Sequence, residues 1–118
     1  KHIHIVGANI LVLGLAFKEN CADIRNTRVT DIIDQLESYN AKIDVYDPWV
    51  KSQDVMSEYG ISVIDSLEEK KYDAIILAVG HQQFKDMGVN KIRALGKAAS
   101  IIYDVKYSFP ADQVDGRL

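Results

Sequence analysis

Residues 10–28 read ILVLGLAFKENCADIRNTR, and this stretch decides the fold of the chain. Its first four residues, Ile10 to Leu13, are continuously apolar, which is typical of a strand that is covered on both faces in a parallel sheet. From about Arg28 to Tyr39, apolar residues recur at spacings of three and four, which predicts an amphipathic helix. A buried strand followed by a helix is the repeating unit of α/β folds.

A long loop, Gly14 to Thr27, separates this strand from its helix, whereas such connections usually have about two to six residues. The loop is rich in polar and charged residues and lies where open α/β sheets bind ligands. Lys18 and Arg25, together with the start of the helix, therefore predict an anion site, most simply for a phosphate. Alternatively, these charges solvate a surface loop and pair with one another. The residues alone favour neither interpretation.

Strand and helix patterns alternate along the rest of the chain. Further strands are predicted at residues 43–46, 61–64, 74–79 and 100–104, and helical segments at 28–39, 50–59, 66–71 (a solvated turn) and 84–95, the last broken at Gly88. This alternation predicts an α/β class with a Rossmann-like, doubly wound parallel sheet of about five strands in three layers.

The composition, 47% hydrophobic and 26% charged residues over 118 positions, predicts one globular domain. A net charge of −3 argues against a nucleic-acid surface. No membrane span or signal peptide is recognisable, and the single cysteine fits a reducing cytoplasm. His2 and His4 have no third ligand near them in sequence, so no metal site is predicted. We interpret residues 1–9 as a linker or a cloning remnant.

The first turn offers Leu15, Ala16 and Phe17 after Gly14, not the GxGxxG pattern of a dinucleotide-binding turn. The chain is therefore not expected to be a primary NAD-binding domain. Cys21 is the only thiol, but no activating base is evident beside it. We predict no catalytic residue.

The residues after the first strand resemble a known family signature. GLAFKENC at 14–21 and DIRNT at 23–27 are similar to the GLxFKxxTxDxRxS pattern of the carboxyl-terminal domain of UDP-glucose/GDP-mannose dehydrogenases. VYDPW at 45–49, YDAIILAV at 72–79 and YDVK at 103–106 resemble the same family in the same order. The form FKENCxDIRNT looks like the UDP-N-acetylglucosamine and UDP-N-acetylgalactosamine 6-dehydrogenase branch. The likeness covers residues 10–110.

The resemblance implies that residues 10–118 form a carboxyl-terminal UDP-binding domain with strand order 3-2-1-4-5 in the numbering of the predicted strands. In that order the exits of the first and fourth predicted strands are neighbours. We therefore expect Phe17, Lys18 and His81 to turn toward one crevice, with Lys106 near it.

The resemblance also assigns roles by position. Phe17 and Lys18 match the pair that contacts the UDP moiety, and Arg25 matches an arginine that reaches the NAD side of the cleft. Lys106 stands where the UDP-glucose enzymes have the arginine of a DGR motif, which fits the acetamido-sugar branch but leaves a bidentate contact open. His81 receives no firm role: a polar residue that caps the segment after the fourth predicted strand is as good an interpretation as a ligand contact. Threonine often stands at the place of Cys21 in the signature, so the resemblance implies a small residue that packs under the loop.

The implied parent is a cytoplasmic, homo-oligomeric enzyme of surface-polysaccharide pathways that oxidises the C6 alcohol of a UDP-sugar to a carboxylate. Its NAD would be bound mainly by a separate amino-terminal domain, linked through a central domain, so this chain alone would not be catalytic. The competing class is a free-standing nucleotide-binding or receiver-like module that acts through a partner. A receiver should have an acidic cluster after its first strand, where this chain has Gly14-Leu15-Ala16.

Overall fold

The computed structural model describes residues 5–117. A five-stranded parallel sheet has the order β2-β1-β3-β4-β5. Its strands are β1 (Asn9–Leu13), β2 (Lys42–Tyr46), β3 (Tyr72–Leu77), β4 (Gly96–Asp104) and β5 (Gly116–Arg117). The helices are α1 (Val29–Ser38), α2 (Ser52–Tyr59) and α3 (Gln82–Arg93), with a short 3-10 turn at Ala111–Gln113. None of the helices in the described residues is long and apolar enough to cross a membrane.

Helices cover both faces of the sheet, which makes three layers. Because successive side chains of a strand point to opposite faces, Leu11 and Leu13 pack on the face that carries Phe84 of α3. Val12 packs on the other face, together with Val29 of α1 and residues of α2. The predicted doubly wound α/β class is confirmed, and the continuously apolar run of β1 is explained by burial on both faces.

The order of the predicted strands is reproduced except for its third member. The predicted strand at 61–64 contributes only a single bridge, from Val63 to Val45 on the outer side of β2, so the prediction of a full strand there was wrong. At the opposite edge the sheet has an unpredicted strand, β5, which pairs with the end of β4. Two residues, a glycine and an arginine, carry no apolar pattern that could have predicted this strand.

The stretch 66–71 is a bend and a turn, and the helical turn predicted there was wrong. Its backbone N–H groups bond to another part of the chain: those of Lys70 and Lys71 donate to the carbonyl groups of Ala94 and Leu95. Lys70 also has a left-handed φ of 59°, which a helix does not accept. The break of α3 at Gly88 is found as predicted. Asn40, just after α1, has a left-handed φ of 65°.

Candidate functional site

A crevice of about 490 Å³ opens at the carboxyl ends of β1 and β3, where the chain leaves the two neighbouring strands in opposite directions. This volume is in the usual range for a small-molecule site. Its walls are the long loop after β1, the start of α1 and the segment after β4. A shallower hollow of about 510 Å³ beside α2 is lined by side chains such as Ser52 and Met56, and it has no cationic group.

Cationic and apolar groups line the crevice together. Phe17, Lys18 and Lys106, all predicted from the sequence, lie in its wall, and Phe17 is 54% exposed although it is a large apolar side chain. Arg28 is a third cation there, whereas Glu19 is the one acidic group among the lining residues. A surface with this excess of positive charge suits an anionic ligand such as a phosphate ester.

A buried carboxylate holds the loop that carries Phe17 and Lys18. Asp47, just after β2, accepts hydrogen bonds from the backbone N–H groups of Leu15 (2.7 Å), Ala16 (2.9 Å) and Trp49 (2.8 Å), and from Nε2 of His81 (2.9 Å). Burial alone would raise the pKa of Asp47, but these hydrogen bonds outweigh it and hold the pKa below its ordinary value. Asp47 is therefore a structural anion within the fold.

His81 lies behind the loop and outside the crevice, so the expectation that it turns toward the ligand was wrong. Its side chain is fully buried. Nδ1 accepts a hydrogen bond of 2.9 Å from the backbone N–H of Asn20, and the side-chain oxygen of Asn20 accepts one of 2.8 Å from the N–H of Gln82. Because Nδ1 accepts from Asn20, the hydrogen bond to Asp47 is donated by Nε2.

The turn after β1 does not fit a dinucleotide. In dinucleotide-binding folds the backbone N–H groups of this turn face the pyrophosphate through a glycine-rich loop. Here the N–H groups of Leu15 and Ala16 are engaged by Asp47, and both side chains are buried. These two N–H groups are therefore bound to a carboxylate of the chain itself. This agrees with the prediction, from the missing glycines, that the chain is not a primary NAD-binding domain.

Comparison with known proteins identifies the family to which this chain belongs. Residues 11–111 match the model of the UDP-glucose/GDP-mannose dehydrogenase family, UDP binding domain. The chain belongs to this family. Since the match covers most of the sequence, the likeness seen in four short blocks extends over nearly the whole domain.

The UDP-N-acetyl-D-glucosamine 6-dehydrogenases of Salmonella typhi and Pseudomonas aeruginosa are each 51% identical over all 118 residues. The chain spans 28% of the length of each of these relatives. A UDP-D-ManNAc dehydrogenase from Pyrococcus horikoshii has a TM-score of 0.75 at 28% identity, covering 98% of this chain and 26% of that one. The resemblance to the UDP-N-acetylhexosamine branch of the dehydrogenase family is thus supported by curated relatives and a solved structure.

Arg25 is set apart from the lysines of this dehydrogenase domain. Its guanidinium is exposed and bonds to the carboxylate of Asp23 at 3.0 and 3.1 Å, and it does not line the crevice. These side-chain hydrogen bonds, together with the one from the backbone N–H of Arg25, lower the pKa of Asp23 to about 2. Cys21 is half-buried, and its Sγ accepts a hydrogen bond from the N–H of Asp23. That contact fits the expected packing role.

Sequence reasoning missed Arg28 as a crevice cation and Asp47 as the anchor of the loop. Arg28 stood in the sequence as the start of the helix, and its position at the mouth of α1 was the available signal. Asp47 stood in the sequence only as part of the block VYDPW at 45–49. Its donors Leu15 and Ala16 lie more than 30 residues away, and no local pattern links them to Asp47.

Proposed function

We propose that this chain is the carboxyl-terminal UDP-sugar-binding domain of an NAD-dependent nucleotide-sugar 6-dehydrogenase. The observation that carries the proposal is the crevice at the carboxyl ends of β1 and β3, in whose wall Phe17, Lys18 and Lys106 come together. Ligands of open α/β sheets bind at such a position. The proposed substrate is a UDP-N-acetylhexosamine, in line with the names of the relatives that are 51% identical.

The proposed division of roles follows the chemistry of the wall. Lys18 and Lys106 neutralise the diphosphate, because ammonium groups pair with phosphate oxygens as point charges. Phe17 offers exposed apolar surface to the uridine. Arg28, which shares the crevice with the two lysines, adds a third positive charge at the diphosphate.

The rest of the parent enzyme supplies what this chain lacks. In the proposed reaction the C6 alcohol of the sugar is oxidised in two steps to a carboxylate: two NAD+ molecules each accept one hydride, and water supplies the second carboxylate oxygen. NAD is bound mainly by an amino-terminal domain, and the exposed Arg25 reaches the cofactor side of the closed cleft. We further propose a cytoplasmic, homo-oligomeric parent in surface-polysaccharide biosynthesis, with a central domain joined to this one.

Titration calorimetry of the 118-residue chain tests the binding role. UDP and UDP-N-acetylglucosamine should bind weakly but more tightly than NAD, because the remaining contacts belong to other domains and the turn after β1 offers no pyrophosphate site. Uridine should bind less well than UDP, and added salt should weaken UDP binding, since the lysines contact phosphate. Tighter binding of NAD than of UDP would contradict the proposal.

An activity assay tests the proposal that this chain alone is not catalytic. The chain, mixed with NAD and UDP-N-acetylglucosamine, should form no NADH above a protein-free control, because it has neither a dinucleotide turn nor an activated thiol. NADH formation that depends on the chain would show that the catalytic machinery is here after all.

A further inference from the structure

Asp47 and His81 form a pair that is buried directly behind the wall of the crevice. Both side chains are fully buried, and the carboxylate oxygen Oδ2 lies 2.9 Å from Nε2. The imidazole packs between two aromatic rings, with centroid distances of 6.1 Å to Trp49 and 5.5 Å to Phe84. Neither member of the pair lines the crevice, so neither can touch a ligand there.

Asp47 and His81 form hydrogen bonds to the backbone of the loop on both sides of the residues that line the crevice. Asp47 accepts from the N–H groups of Leu15 and Ala16, which precede Phe17. His81 accepts from the N–H of Asn20, which follows Glu19. The three residues 17–19 are thus held from behind at both ends.

A second hydrogen bond holds the loop just after residues 17–19. The side chain of Asn20 accepts a hydrogen bond from the N–H of Gln82, the first residue of α3. Asn20 has a left-handed φ of 54°, a conformation that asparagine tolerates better than most residues. The loop is therefore fixed to the end of β2, to the end of β3 and to a helix terminus.

We propose that Asp47 and His81 are positioning residues for nucleotide-sugar binding: they hold residues 15–20 so that Phe17 and Lys18 face the crevice before the ligand arrives. This inference rests on the proposed function. A loop of this length would lose much conformational freedom on binding, and ordering it in advance removes that cost from the affinity. The buried pair acts only through the backbone of the loop.

The first test replaces His81 by glutamine. His81→Gln keeps an amide that can donate to Asp47 but leaves the N–H of Asn20 without its acceptor. UDP affinity should fall about tenfold, the upper range for one lost neutral hydrogen bond, and amide exchange should quicken at Leu15, Ala16 and Asn20. Asn20→Gly is a second variant, which removes the tie to Gln82 and retains the backbone conformation. Because Asn20 is exposed, this variant should fold even if His81→Gln does not.

Tyr72→Phe is the matched control. It removes one hydrogen bond of a buried side chain, from the Tyr72 hydroxyl to Asp44 (2.7 Å), at the amino-terminal start of β3, away from the crevice. It should lower the thermal midpoint without changing UDP affinity or loop exchange. A merely structural role of His81 predicts that His81→Gln behaves like this control.

The outcomes separate the two proposals. Lost affinity with faster loop exchange in His81→Gln or Asn20→Gly, and neither in Tyr72→Phe, supports positioning. Unchanged UDP affinity in a folded variant whose loop amides exchange faster overturns it. If the unmodified chain does not bind UDP at all, the proposed function fails. Amide exchange of the loop then still tests whether Asp47 and His81 order it. Unchanged exchange in the variants would overturn that ordering role as well, and faster exchange would support it.

Discussion

Gly14 and Val79 approach each other so closely that no side chain fits between them. A Cβ atom on Gly14 would lie 2.6 Å from Cβ of Val79 and 2.9 Å from its backbone nitrogen. Gly14 also has a φ of +102°, which favours glycine. The contact joins the exits of β1 and β3, and Val79 lines the crevice that opens between them. The place of the crevice therefore depends on a glycine.

We expect Gly14→Ala to lower the free energy of unfolding by at least about 2 kcal/mol, because both the clash with Val79 and the backbone strain oppose it. Urea denaturation measures this. Gly60→Ala is the matched control: Gly60 has a φ of 69° but an added Cβ would meet no atom within 4 Å. It should cost only about 1 kcal/mol. Equal losses in the two variants would mean that strain alone matters at Gly14.

Asp47 gives the fold a dependence on pH. Its pKa is lowered in the native state, so its stabilising effect is full above the pKa of the unfolded chain, about 3.9. The effect is lost as the pH falls below that value toward the lowered native pKa. Asp47→Asn should cost about 3 kcal/mol at pH 7, because four donors lose their charged acceptor.

The cost of Asp47→Asn should shrink steadily when the pH is lowered below about 4, because the unfolded chain then binds a proton while the native carboxylate is still ionised. The trend ends once the native carboxylate is protonated too. Denaturant titrations of both proteins between pH 7 and pH 2 measure this difference. Asp34→Asn, which removes an exposed carboxylate of α1, is the control for the loss of one negative charge from the domain. A cost that is independent of pH would show that Asp47 acts through its shape and not its charge.

Arg25 controls the titration of Asp23. The hydrogen bonds and the charge of Arg25 lower the pKa of Asp23 to about 2 from its usual 3.8. In Arg25→Ala we therefore expect this pKa to move up toward the usual value, as followed by NMR titration of the carboxylate. UDP affinity should stay the same, because Arg25 does not line the crevice. A marked loss of UDP affinity would place Arg25 on the substrate side.

The sequence was informative wherever an apolar run was long enough to fill a buried strand. The runs that became β1 and β3 are covered on both faces, so their composition alone predicted central strands. At the edges, pairing is decided by backbone contacts and not by side-chain burial. Val63 makes one bridge and β5 has two residues, and neither carries a pattern that separates a bridge from a strand.

The candidate site likewise has residues that the sequence could predict and residues that it could not. Lys18 and Lys106 could be expected because charges that follow buried strands gather at one edge of a parallel sheet. The buried pair of Asp47 and His81 behind them could not be expected. These two residues lie 34 residues apart, and their partners are backbone groups of a third segment. A single sequence gives side-chain types, whereas such a network depends on which backbone N–H groups remain without partners.

Lys18 is the residue on which the binding role depends most. It lies in the wall of the crevice, in the segment that Asp47 and His81 hold in place. If its ammonium group meets a phosphate oxygen, Lys18→Ala should weaken UDP binding by about 1.5 to 3 kcal/mol, the usual value of a hydrogen bond to a charged group. Because Lys18 is exposed, stability should change by less than about 0.5 kcal/mol.

Calorimetry with UDP and a thermal melt of the same Lys18→Ala sample separate the explanations. Lys91→Ala, an exposed lysine of α3 outside the crevice, corrects for the loss of one positive charge from the whole domain. Affinity lost only in Lys18→Ala, with an unchanged midpoint, supports a direct contact. A lower midpoint with unchanged affinity would mean that Lys18 holds the loop and not the ligand. Equal small losses of UDP affinity in both variants would mean that Lys18 acts only through long-range charge attraction, which added salt should abolish.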